Sequence, residues 1–231
     1  GAYAPRPRGA PAARKVRVLC LHGAAGSKRI MSSQLAVLMH KAKQDVEFLF
    51  AEGSLVCDEA DPIVGKQVAL MKKYFEGETF RQWAQPRGEG WRRYDGLERA
   101  ALEVQEALEA HAPVDALLGF SQGANIAHVA AAAAALGRGR PLRCVVHMCP
   151  SKPGWVEQMP DLFEWQIALP AMVIAADQDT VAAGAREVAG TYEEAVAERH
   201  SGVHRPLPAE RAEAAELSGR IQDFLLRHCR D

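Results

Sequence analysis

Six short apolar runs recur along the chain, and helix-length segments separate most of them. They read VRVLCL (Val16–Leu21), VEFLF (Val46–Phe50), VDALLGF (Val114–Phe120), RCVVHM (Arg143–Met148), AMVIAA (Ala171–Ala176) and the weaker AVAERH (Ala195–His200). The third and fifth are apolar at nearly every position, which marks strands buried on both faces, as in a parallel sheet. Between the runs the period changes to 3.6: Leu97, Ala101, Val104 and Leu108 fall on one helical face with charge opposite. The segment after the third run, QGANIAHVAAAAAALG, is so apolar that its helix should be largely buried, with Gly137 as its C′ residue. Ser27 to Lys43 and Pro208 to Cys229 give two further helices, the second with proline near its first turn and acids close behind. Alternation of strand and helix predicts an α/β fold with a doubly wound sheet. Its functional site should lie at the carboxyl ends of the strands.

The bulk properties narrow the class of function. A chain of 231 residues, 48% hydrophobic, suits one large α/β domain, expected over residues 15–231. A net charge of −1 gives no reason to expect nucleic acid or an anionic membrane as partner. No run approaches the length of a membrane span. The five cysteines are widely spaced and include no C-x-x-C, so neither a disulfide framework nor a zinc site is expected. Cys20, Cys144 and Cys149, in or beside apolar runs, read as reduced core residues, and a reducing, cytoplasmic compartment is expected. Residues 1–14, rich in Pro, Ala and Arg, read as a flexible arm, as a linker from a longer polypeptide, or as a transit remnant that would imply an organelle.

Two segments break the alternation, residues 51–94 and 150–169. Long insertions at strand ends commonly form lids or binding loops. Their aromatic residues Trp83, Trp91, Trp155, Phe163 and Trp165 are expected to wall an apolar acyl pocket.

The third run ends in Gly119-Phe120-Ser121-Gln122-Gly123, directly before the apolar helix. G-x-S-x-G between a strand and a helix describes a sharp turn that projects a serine above the sheet edge. A serine hydroxyl needs a base to take its proton, and the base needs an orienting acid. In this type of sheet the partners follow in the order Ser, acid, His. Only His200 and His204 lie between the last strand and the last helix; His204, in a loop behind Gly202, is preferred. The acid should follow the fifth run, where Asp177 and Asp179 both stand; Asp179 is preferred. An oxyanion needs backbone donors. The Gln122 N–H supplies one, and the loop CLHGAAGS after the first run supplies the other at Ala24. That loop lacks both the G-x-G-x-x-G pattern and the Lys-Ser ending of a phosphate-binding loop.

Taken together, strand-LHG, strand-GFSQG-helix, strand-AADQDTV and H-x-G-x-H resemble the fungal-type serine hydrolases, often called the family of serine hydrolases. The resemblance runs over nearly the whole chain from about Val16. It implies an α/β-hydrolase fold with about six mostly parallel strands in the order 2-1-3-4-5-6, helices on both faces and a small cap or loop insertion. It implies a Ser121–His204–Asp179 triad, with Ala24 and Gln122 as oxyanion donors. The implied activity is hydrolysis of a small-molecule carboxylic ester through an acyl-serine. An acyl thioesterase is the alternative, and a catalytically weak sensor or interaction module the alternative of another class. The chemistry needs no metal or organic cofactor.

Overall fold

The computed structural model describes residues 14–88 and 93–230. The arm expected over residues 1–14 lies outside them except for Arg14, whose guanidinium grips Asp115 through two bonds of 2.7 and 2.9 Å. Trp91 also lies outside the described residues.

Among the described residues, ten strands and eight α-helices follow one another. Six strands form the main sheet: β1 (Val16–Leu21), β2 (Val46–Ala51), β7 (Ala116–Phe120), β8 (Cys144–Met148), β9 (Ala171–Ala176) and β10 (Ala195–His200). Their spatial order is β2-β1-β7-β8-β9-β10, and every neighbouring pair is parallel. Numbered among themselves, the strands lie in the expected order 2-1-3-4-5-6.

Period-two alternation divides the core. Leu19, Leu21, Leu117, Val145 and Val173 face one side, under α4 (Leu97–Ala110), α5 (Gln122–Ala135), α6 (Trp155–Gln158) and α7 (Ala182–Ala189). Val18, Cys20, Leu118, Val146, Met172 and Ile174 face the other, under α1 (Lys28–Gln34), α2 (Ala36–Ala42) and α8 (Arg211–Cys229). Both faces being covered explains why β7 and β8 are buried at every position. In α5 every residue from Gln122 to Ala132 is buried. Its run of alanines lets the helix lie close to the sheet with little side-chain entropy to lose.

The single helix expected over Ser27–Lys43 is two, broken at the buried Leu35, whose backbone leaves the helical region at φ −93° and ψ 8°. The insertion after β2 holds two small antiparallel pairs. In one, β3 (Leu55–Val56) joins β4 (Arg81–Gln82); in the other, β5 (Gln85–Arg87) joins β6 (Arg93–Asp95). It also holds α3 (Gly65–Lys72). Cys57, Val64, Val68 and Phe80 of this insertion build a separate small core with Ala25 and Ile30, and Ala24 packs against it. The loop after β1 is thus clamped between the main sheet and the insertion. No helix among the described residues is long and apolar enough to cross a membrane.

Candidate active site

Ser121 stands between β7 and α5 with φ 53° and ψ −120°, a backbone conformation that a non-glycine residue adopts only when its surroundings impose it. Here the surroundings are the two flanking glycines. A Cβ on Gly119 would come within 2.4 Å of the Gly123 carbonyl oxygen, and one on Gly123 within 2.2 Å of the Leu21 carbonyl oxygen. The motif therefore records two backbone crossings too close for a side chain. The Ser121 N–H donates to the Met148 carbonyl at 2.9 Å, tying the turn to β8.

The Ser121 Oγ lies 2.8 Å from His204 Nε2, and His204 Nδ1 lies 2.6 Å from Asp179 Oδ2. An ionised carboxylate can only accept, so Nδ1 carries the hydrogen and Nε2 is left to accept from the serine hydroxyl. The Asp179 side chain is 2% exposed and that of His204 35%. Burial works against the Asp179 carboxylate. Hydrogen bonds from His204, the Val181 N–H and the Cys149 thiol outweigh it and hold the pKa below the ordinary aspartate value. The Phe120 ring packs against the imidazole with centroids 5.1 Å apart.

The two alternatives from the sequence stand elsewhere. Asp177 faces solvent and accepts from Arg199 Nε at 2.6 Å. His200 is buried and braces the loop that carries His204: its Nδ1 accepts from the Gly202 N–H and its Nε2 donates to the Arg205 carbonyl, both at 3.1 Å. The Ala24 and Gln122 N–H groups have no hydrogen-bond acceptor among the described residues. Gln122 also begins α5, where the helix dipole favours negative charge.

The cavity over Ser121 measures about 460 Å³. Its walls are Ile63, Lys66 and Gln67 from the insertion, Asn125 from α5, Ser151, and Thr180 and Val181. None of the four described aromatic residues expected there lines it. Trp83 is 1% exposed, beneath the β1 loop, where its Nε1 donates to the His22 carbonyl at 2.8 Å. Trp155 is fully buried and donates to His128 Nδ1 at 3.0 Å. Phe163 packs on the main core beside His128, and Trp165 is 72% exposed. The reason is that the two insertions must themselves cover α5 and the sheet, and their large rings are spent on that cover.

Asn125, Ser151 and Cys149 are among the site residues to which the sequence alone assigns no functional role. Asn125 donates through Nδ2 to Tyr94 Oη at 2.7 Å and to Ser151 Oγ at 2.8 Å, which fixes the cavity floor. Cys149 follows β8 directly, with φ 51°. Its thiol has two acceptors, the Asp179 carboxylate and the Arg205 carbonyl at 3.3 Å, and burial pushes its pKa up to about 12. The readable signal was position: Cys149 and Ser151 lie at the carboxyl end of a central strand.

An uncharacterized hydrolase of Schizosaccharomyces pombe is 32% identical over 123 residues, covering 50% of this chain and 28% of that protein. The esterase alnB of Emericella nidulans is 30% identical over 114 residues, covering 48% of this chain and 34% of that protein. The chain thus spans less than half the length of these curated relatives. In fold it is similar to a Bacillus cereus carboxylesterase, with a TM-score of 0.59 and 16% identity over 91% of this chain and 89% of that one. The family described as Serine hydrolase (FSH1) matches residues 12–216, and the chain belongs to it.

Proposed function

We propose that the chain is a serine esterase in which Ser121 is the nucleophile, His204 the general base and acid, and Asp179 the residue that orients His204. The observation that carries this reading is the unbroken relay from Ser121 Oγ through His204 to Asp179, with gaps of 2.8 and 2.6 Å, launched from a strained turn. Attack forms a bond from Oγ to the ester carbonyl carbon as the hydroxyl proton passes to His204 Nε2. The carbonyl electrons move onto oxygen, which the Ala24 and Gln122 N–H groups receive. Collapse breaks the carbon–alkoxy bond, and His204 returns its proton to the leaving alcohol. Water then repeats the sequence against the acyl-serine and frees the acid. The mixed cavity wall, with Ile63 and Val181 beside Lys66, Gln67, Asn125 and Ser151, suits a small ester that carries polar groups as well as an apolar portion.

The reading is tested by steady-state hydrolysis of a series of 4-nitrophenyl acyl esters and of acyl thioesters of matched chain length. Turnover of oxygen esters that Ser121→Ala abolishes is the expected result. Preferential turnover of thioesters by the same serine would make the chain a thioesterase. Equal turnover by wild type and Ser121→Ala would remove the proposal.

A further inference from the structure

Among the described residues, one group of three side chains able to ligate a metal lies at the relay. One atom each from Cys149 (Sγ), Asp179 (a carboxylate oxygen) and His204 (a ring nitrogen) lie within 4.8 Å of one another. We propose that these three side chains form a binding site for a thiophilic divalent cation of the Zn²⁺ type, and that its occupancy arrests the relay.

The donor set fits such an ion: a soft sulfur, a borderline imidazole and a carboxylate, with a fourth position open to water. Zinc bonds of about 2.3 Å to sulfur and about 2.0 Å to nitrogen or oxygen set the ligand atoms of such a tetrahedral set roughly 3.3–3.5 Å apart. The 2.6 Å Asp179–His204 bond is shorter than that and must open to admit the ion, while all three donor atoms already lie within 4.8 Å of one another. The movable member is His204, on the irregular segment between β10 and α8, with its side chain 35% exposed toward the cavity. Asp179 and His204 both line the cavity and Cys149 is buried, so an ion arriving through the cavity meets the imidazole and the carboxylate before the thiol.

Charge and protons balance. The thiol proton leaves to solvent, giving a thiolate. Asp179 is already ionised, and the imidazole stays neutral while its proton moves from Nδ1 to Nε2. Two negative ligands then offset the dication, and one proton is released per ion bound. The tautomer change is the inhibitory event. With Nε2 protonated, His204 has no lone pair for the Ser121 hydroxyl, and Asp179 no longer orients the ring. That consequence rests on the proposed roles of Ser121 and His204; binding of the ion does not.

Two readouts test this. Zn²⁺ should inhibit wild-type ester hydrolysis reversibly, with recovery on adding EDTA. Losing an outer-shell partner of a metal ligand already costs roughly 10–100-fold in affinity. Cys149→Ser and Cys149→Ala, each measured against its own activity, should therefore need at least about tenfold more Zn²⁺ for half-inhibition. Separately, Cd²⁺ titrated into Ser121→Ala should develop the ultraviolet thiolate-to-cadmium charge-transfer band, and adding Cys149→Ser should remove it. The competing thiols are the other free cysteines, Cys20, Cys57, and Cys144 and Cys229, whose sulfurs lie 3.5 Å apart at the far end of β8. A band that survives Cys149→Ser in full puts the ion there and overturns the proposal, as does equal Zn²⁺ sensitivity in wild type and both variants. If no ester is turned over yet the Cd²⁺ band depends on Cys149, the metal site stands and the esterase reading falls.

Discussion

Gln122 clasps the backbone beside Trp83: its Oε1 accepts from the Trp83 N–H at 2.7 Å, and its Nε2 donates to the Ala84 carbonyl at 2.8 Å. The residue after Ser121 thus holds the inserted segment as a strand neighbour would. Gln122→Ala would leave both backbone groups buried and unpaired. At about 1–3 kcal/mol each, the variant should lose roughly 2–6 kcal/mol of unfolding free energy in urea melts. Gln122→Glu keeps the acceptor and loses the donor, so it should fall between wild type and Gln122→Ala.

The pairs Asp179/Asp177 and His204/His200 separate relay from scaffold. Asp179→Asn should lower kcat by about 10⁴, because an amide can hold the wrong imidazole tautomer. Asp177 only meets Arg199 at the surface, and Asp177→Asn should stay within about ±0.5 kcal/mol in stability and leave kcat near wild type. His204→Ala should likewise abolish turnover. His200→Ala should loosen the 201–207 segment and lower thermal stability while measurable turnover persists. Steady-state kinetics and melting curves on the four variants check this together.

The close backbone crossing at Gly123 makes a third test. An added Cβ would sit 2.2 Å from the Leu21 oxygen and 2.6 Å from the His22 oxygen, both backbone atoms with nowhere to move. Gly123→Ala should fail to accumulate as folded protein, whereas Gly137→Ala, with no neighbour within 4 Å, should fold with only the cost of its φ of 68°. Soluble yield and circular dichroism distinguish them.

Acid stability follows from three buried histidines. Burial lowers His22 and His147 from 6.5 to about 4, and drives His128 well below 6.5. Each is held neutral by matched partners; His147, for example, donates to the Ala124 carbonyl and accepts from the Tyr192 hydroxyl at 2.6 Å. Between pH 6.5 and 4 the unfolded chain binds protons that the folded chain refuses, so stability is full above pH 6.5 and falls as the pH drops toward 4. His22 and His147 should each withdraw about 3 kcal/mol over that window. Urea midpoints measured from pH 8 to pH 4.5 should decline mainly below pH 6.5, and less steeply in His147→Gln.

The sheet and the strained turn at Ser121 are legible in the sequence for physical reasons. Strands buried on both faces must be apolar throughout, which exposes β7 and β9. Crossings that exclude a Cβ must be glycine, which exposes Gly119 and Gly123. The cavity wall is not legible, because Lys66, Gln67 and Thr180 look like any solvated residues until α3 and the loop after β9 are brought over Ser121. Trp83 and Trp155 mislead for the opposite reason: a large ring in an insertion serves a core as well as it serves a pocket. Cys149 is ambiguous in the same way, since an apolar setting and a place beside Asp179 leave the same trace in one letter.

The central claim is that Ser121 is the activated nucleophile. Intact-protein mass spectrometry after brief exposure to a fluorophosphonate tests it most directly. Wild type should gain one phosphonyl group, located on Ser121 by peptide mapping, and Ser121→Ala should gain none. An unmodified wild type, or equal labelling of Ser121→Ala, would contradict the account.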